Sequence, residues 1–172
     1  TLRIFGSAAR DELLVELRVD RSHRAIPGCE VIIVEWLLLQ NPRAEFGPFR
    51  RPLPGQNHPG LGMLREVLGW LVVVCEMLEL DGIYYVPSSY HVAAQSRQIV
   101  RFLEPSHEAR FRVLGEILAD HPLPEASRLM AERGISDPAT GATVEWEGFP
   151  MVLPVSEALK AKVFGEVYET AV

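Results

Sequence analysis

Residues 41–62 cannot form regular secondary structure. Prolines at 42, 48, 52, 54 and 59 and glycines at 47, 55, 60 and 62 break any helix or strand laid across them. A loop of that length inside a compact domain marks a functional or mobile segment. What stands on either side limits the fold. Before it, residues 30–39 (EVIIVEWLLL) are rich in β-branched side chains and nearly continuous in apolarity, the pattern of a central strand covered on both faces. After it, Leu64, Val67, Leu68, Leu71, Val74, Cys75 and Leu78 recur at helical spacing on one face. Asp81-Gly82 closes that helix, glycine being the favoured left-handed cap. Residues 83–86 (IYYV) read as a second buried strand. Strand, crossover helix and strand within about 55 residues make a βαβ unit, so the two strands are expected to run parallel.

The rest of the chain fits around that unit. Residues 2–5 are a short strand candidate, and residues 12–19 alternate, with Leu13, Val15, Leu17 and Val19 on one face of a half-buried strand. Pro27-Gly28 marks a turn. Residues 91–100 read as a short helix and 101–104 as an extended segment. Ser106 is placed to cap a helix running to about residue 119, with Phe111, Leu114, Ile117 and Leu118 inward. Pro124 opens another helix that Gly134 closes. Residues 137–141 form a turn, and 143–146 with 151–153 suggest a hairpin. Ser156 caps a last helix to about residue 170, with Leu159, Val163, Val167 and Tyr168 inward. Trp36 and Trp70 read as core, Met63 and Met77 as packing, and Trp146 as partly exposed. The expected class is α/β, a mixed sheet of antiparallel strands followed by a βαβ unit, with helices on its faces.

Composition excludes several classes. The 172 residues suit one domain with a real core, and 48% hydrophobic against 23% charged residues is a globular balance. A formal charge of −6 argues against nucleic acid as a partner, which needs a dense basic surface. Residues 67–75, the longest uncharged run of the most apolar stretch, are far short of the ~20 residues that span a bilayer, so no membrane association is expected. Cys29 and Cys75 suggest neither a disulfide framework nor a metal site. A reduced, cytoplasmic setting is the simplest expectation.

The segment Gln56-Asn57-His58-Pro59-Gly60-Leu61-Gly62 lies between a buried strand and a buried helix. Glycines there let the backbone approach a ligand. The free N–H groups of the first helical turn, aided by the helix dipole, then suit a phosphate or pyrophosphate. A tight turn is the plainer alternative.

In this context the chain resembles the GNAT family of N-acetyltransferases over residues 30–104. That family carries Gln/Arg-x-x-Gly-x-Gly/Ala at the strand–helix junction. Here Asn57-His58-Pro59-Gly60-Leu61-Gly62 keeps both glycines, with Asn57 at the first position and Gln56 beside it. Downstream the family reads a hydrophobic strand, Asn-x-x-Ala, a short helix ending in Tyr, and Gly-Phe. Here Ala93 and Phe102 match, while Tyr90, Arg97 and Arg101 stand where Asn, Tyr and Gly are usual. The family's first strand and two following helices are not apparent before Leu2. Residues 105–172 form an added helical extension of the same domain.

The resemblance implies an acyl-CoA-dependent N-acyltransferase, an acetyltransferase by preference, acting on an amine of a small molecule or peptide. Acetyl-CoA or another acyl-CoA would be a substrate, and no metal is implied. The strand at 30–39 would splay from that at 83–86, with the pantetheine arm in the gap. Asn57, His58, Gly60, Leu61 and Gly62 would surround the pyrophosphate. Arg97, a poor proton donor, would act on the thiolate only through its charge. Amine attack needs a base or a water relay. Glu35 is the sharpest candidate, because it interrupts an apolar strand, and a buried carboxylate has a raised pKa and needs a partner. It could instead point to solvent or pair with an arginine. Ser88, Ser89 and Tyr90 stand where the acceptor end of the cleft would be, as hydroxyls that orient an acceptor or as a capped turn. His91 could face that cleft. Arg97, Arg101, Arg110 and Arg112 could meet a nucleotide phosphate or form a solvated face. Two other readings stay open. One is a non-catalytic ligand-binding or protein-interaction domain on the same fold; the other is an unrelated α/β domain. A homodimer is compatible with either fold.

Overall fold

The computed structural model describes residues 1–48, 51–136 and 141–172. The chain folds as a mixed α/β domain around a six-stranded sheet of order β1-β2-β3-β4-β6-β5. The strands are β1 (Leu2–Phe5), β2 (Leu13–Ile26), β3 (Cys29–Leu39), β4 (Gly82–Tyr85), β5 (Arg101–Phe102) and β6 (Met151–Pro154). The helices are α1 (Leu64–Met77), α2 (Tyr90–Ser96), α3 (Pro105–Ile117), α4 (Leu123–Ala131), α5 (Glu157–Phe164) and α6 (Glu166–Ala171). β1, β2 and β3 run antiparallel, β3 and β4 parallel, and β6 antiparallel to both β4 and β5. The crossover β3–α1–β4 is the βαβ unit read from the sequence. Among the described residues no helix is long and apolar enough to cross a membrane.

The strand alternation builds two cores. Leu17, Ile32, Ile83, Met151 and Leu153 face one side, where they meet Leu68, Leu71 and Cys75 of α1, Ala93 of α2, Phe111 of α3 and Met130 of α4. Ile26, Val31 and Val152 face the other side and pack on Leu159, Val163 and Tyr168 of α5 and α6. β3 and β4 are thus covered on both faces, which explains their apolar sequences.

Several expectations give way to tertiary packing. The helix before β4 ends at Met77 with Leu78 as its cap, and Glu79, not Gly82, takes the left-handed backbone, with φ 54°. No hairpin joins 143–146 to 151–153. Thr143 bridges Ser136, and β6 pairs with β4 and β5. Most of the expected turn at 137–141 lies outside the described residues. Glu104 rather than Ser106 precedes α3. Ser156 does cap α5, accepting from the Leu159 N–H at 3.2 Å, but Gly165 divides the last helix in two and leaves Val167 exposed. Trp36 and Trp70 are 48% and 52% exposed, and Met63 and Met77 also reach solvent, so none of the four is core. A long apolar side chain on a helix flank or beyond a strand bend keeps its periodicity without acquiring a neighbour.

Candidate functional site

The site begins with a register shift. β2 and β3 pair Arg18 with Trp36 but Val19 with Val34, so Glu35 has no residue opposite it. Such a bulge bends the strand and sharpens its twist. It lies where β3 leaves β4. The parallel pairing runs Val31–Gly82, Ile32–Ile83 and Ile33–Tyr84 and stops there. β3 continues to Leu39 held by β2 alone, while β4 ends at Tyr85. The two central strands therefore part beyond Ile33 and Tyr84. Backbone N–H and C=O groups of β3 face the gap without a partner strand.

The loop after β3 folds back on the end of that strand. The Asn41 N–H donates to the Pro59 carbonyl at 2.7 Å, and Pro59 is buried. Gly60 lies against the Leu39 carbonyl, and Gly62 takes a positive φ of 76° that favours glycine. α1 starts immediately afterwards, and among the described residues no side chain caps it. Its first-turn N–H groups are therefore available to an anion. Arg65 in that turn donates to the Gln98 side chain at 2.7 Å, tying α1 to the segment after α2, and Glu66 beside it is exposed. Of the residues expected around a pyrophosphate, Asn57 is exposed, His58 and Leu61 are half-buried, and Gly60 and Gly62 sit at the turn into the helix.

Beyond β4 lies a cleft of about 220 Å3. Ser88, Ser89 and Tyr90 line it, together with Pro54 from the long loop, Met130 and Arg133 from the α4 end, and Glu145 and Trp146. Ser88 is exposed, whereas Tyr90 is buried between Phe111 and Trp146, with ring centroids 5.6 and 5.9 Å away. Burial raises the Tyr90 phenol pKa and the positive charge of Arg97 lowers it, burial being the larger effect. His91 is buried beside Ser89, whose Oγ lies 3.2 Å from Nδ1 and 3.3 Å from Nε2. Burial depresses the His91 pKa and so favours the neutral ring, the form able to accept a proton.

Two sequence expectations are corrected here. Glu35 is not a buried carboxylate, because the bulge turns it to solvent along with Trp36. Three of the four clustered arginines, Arg101, Arg110 and Arg112, already hold carboxylates rather than standing as a solvated face. Arg101 pairs with Glu108 and Glu169, Arg110 with Glu147, and Arg112 with Glu108 and Glu169. Arg97 is exposed, and its guanidinium lies 5.6 Å from the centre of the Phe111 ring on α3.

Sequence reasoning missed two features. Tyr85, at the end of β4, hydrogen-bonds the Ser96 hydroxyl of α2, and burial pushes its phenol up to about 12. Arg133 and Glu145 form an ion pair at 3.3 Å on the cleft rim. The Tyr85 partnership follows from a strand–helix pairing that leaves no mark on local sequence. The Arg133–Glu145 pair goes with the Ser136–Thr143 bridge, which flanks the turn expected at 137–141, but the turn signal does not say which side chains the bridge brings together. Among the described residues no three His, Cys, Asp or Glu side chains are grouped to hold a metal ion. Comparison with protein-family models, curated proteins and solved structures returned no match.

Proposed function

We propose that the protein is an acyl-CoA-dependent N-acyltransferase of the GNAT type. The observation that carries this reading is the parting of β3 from β4 beyond Ile33 and Tyr84, next to an uncapped helix start after Gly60-Leu61-Gly62. A gap edged by unpaired strand N–H and C=O groups suits the amide-bearing pantetheine arm, and the helix start suits the pyrophosphate. The acceptor amine would then enter from the cleft of Ser88, Ser89 and Tyr90. Its nitrogen attacks the thioester carbonyl carbon, the C–S bond breaks, and the nitrogen loses a proton. Neutral His91, through the Ser89 hydroxyl, replaces Glu35 as the proton acceptor of this proposal. The departing thiolate takes a proton from Tyr90 or water, because Arg97 stays charged.

Titration of the protein with CoA, acetyl-CoA and a longer acyl-CoA tests this by calorimetry and thermal stability. A ligand present at 100 times its Kd stabilises the folded state by about 2.7 kcal/mol. Binding that Gly60→Leu or Gly62→Leu abolishes, with thioester consumed when amine is present, is the expected result. Binding without thioester loss favours the non-catalytic domain, whose supporting observation is Arg97 packed over Phe111. No binding of any of the three at millimolar concentration overturns the acyltransferase reading and favours a protein-interaction domain on the same fold.

A further inference from the structure

The cleft beyond β4 has a composition that the acyltransferase reading does not require. Its floor is apolar and aromatic, made by Tyr90, Met130 and Trp146. Tyr90 and Met130 are buried, and Trp146 is fixed by its indole N–H, which donates to the Pro87 carbonyl at 3.1 Å. Its rim carries one cation and one anion side by side, Arg133 and Glu145. The chain brings them together through the bridge of Ser136 to Thr143 and the bond from the Val144 N–H to the Ile135 carbonyl, which returns the strand over the end of α4. Ser88 and Ser89 add hydroxyls to the lining.

We infer that this cleft binds a compact zwitterion with an apolar side chain, the chemistry of a free α-amino acid. Where the acyltransferase reading holds, on which this part rests, that amino acid is the acyl acceptor. Three observations carry the inference. The size suits a compact ligand, since pockets for drug-sized molecules run from ~300 to 1,000 Å3 and this one holds about 220 Å3. The paired charges match an ammonium and a carboxylate held one carbon apart. An exposed ion pair is worth at most about 1 kcal/mol, so it opens at little cost and is exchanged for two pairs, carboxylate on Arg133 and ammonium on Glu145. The aromatic floor then receives the side chain, and a ligand of a single charge leaves one rim residue unmatched.

The test is calorimetric titration of the whole chain with phenylalanine, leucine and methionine, with and without saturating CoA. Phenethylamine and 3-phenylpropionate serve as probes that each keep one charge. At least one amino acid is expected to bind, with both single-charge probes at least tenfold weaker than phenylalanine or than the best amino acid. Arg133→Gln should weaken the amino acid and 3-phenylpropionate but spare phenethylamine, and Glu145→Gln should weaken the amino acid and phenethylamine but spare 3-phenylpropionate. Both side chains are more than half exposed, so both variants should fold. No binding of any amino acid under either condition overturns the inference, as do single-charge probes that bind equally well or variants that change nothing. Amino-acid binding without any CoA binding keeps the cleft assignment and removes the acyltransferase reading. CoA binding without amino-acid binding does the opposite.

Discussion

Gly82 and Leu153 pack so closely across the β4–β6 pair that a Cβ on Gly82 would stand 2.5 Å from the Leu153 carbonyl oxygen. The same Cβ would meet the Leu159 side chain at 3.0 Å and the Pro154 Cα at 3.2 Å. The obstacle is backbone, which cannot move aside as a side chain can. Gly82→Ala is therefore expected to destabilise the fold by about 1–3 kcal/mol through overpacking. Gly69, inside α1 with nothing within 4 Å, is the opposite case. Gly69→Ala should stabilise by about 0.5–1 kcal/mol through helix propensity. Urea midpoints for the two variants should move in opposite directions; a common direction would contradict the packing at Gly82.

Glu35 contributes its place in the chain rather than its carboxylate. Its side chain is exposed, so Glu35→Ala should shift stability by no more than about 0.5 kcal/mol. Deletion of Glu35 removes the bulge but leaves residues 36–39 in the same register with β2, since Val34 and Leu37 then stand two apart opposite Val19 and Leu17. It straightens β3 at the point where that strand leaves β4, so the deletion is expected to cost more than the substitution. Equal losses in the substitution and the deletion, read from denaturant curves, would mean that the carboxylate matters and the bulge does not.

His91 ties stability to pH. Burial lowers its pKa below the ordinary histidine value, so in mildly acidic solution the unfolded chain binds a proton that the folded one excludes. Stability rises with pH wherever the unfolded state holds more protons. The contribution of His91 is thus complete above about pH 6.5, the unfolded value, and is lost as pH falls through the window below it. His91→Gln should flatten this slope between pH 7 and 5. An unchanged slope, measured from thermal midpoints across that range, would show that His91 is charged or accessible in the folded protein.

The sequence and the structure agree where a pattern is dense and local. Residues 30–39 and 83–86 read as covered strands because their apolar runs are nearly unbroken, and the spacing from Leu64 to Cys75 fits only a helix. Their parallel arrangement follows from the crossover length. The candidate site was legible only in outline, through the glycine turn before α1 and the hydroxyls after β4. Glu35 shows why the rest was not. A carboxylate in an apolar run implies burial if the strand is regular, but the bulge turns that position outward. Trp70 shows the same gap in a helix, where an apolar residue on a correct helical period finds no neighbour.

The sequence by itself determined the βαβ unit, the loop that cannot be regular and the start of α1, because each depends on backbone preference and on periods of two and 3.6 residues. Tertiary structure decided where β3 and β4 part, that β6 lies between β4 and β5, and that Arg133 meets Glu145 at the cleft that Tyr90 also lines. Those features depend on register between segments far apart in the chain. One residue of offset there reverses which side chains face the core.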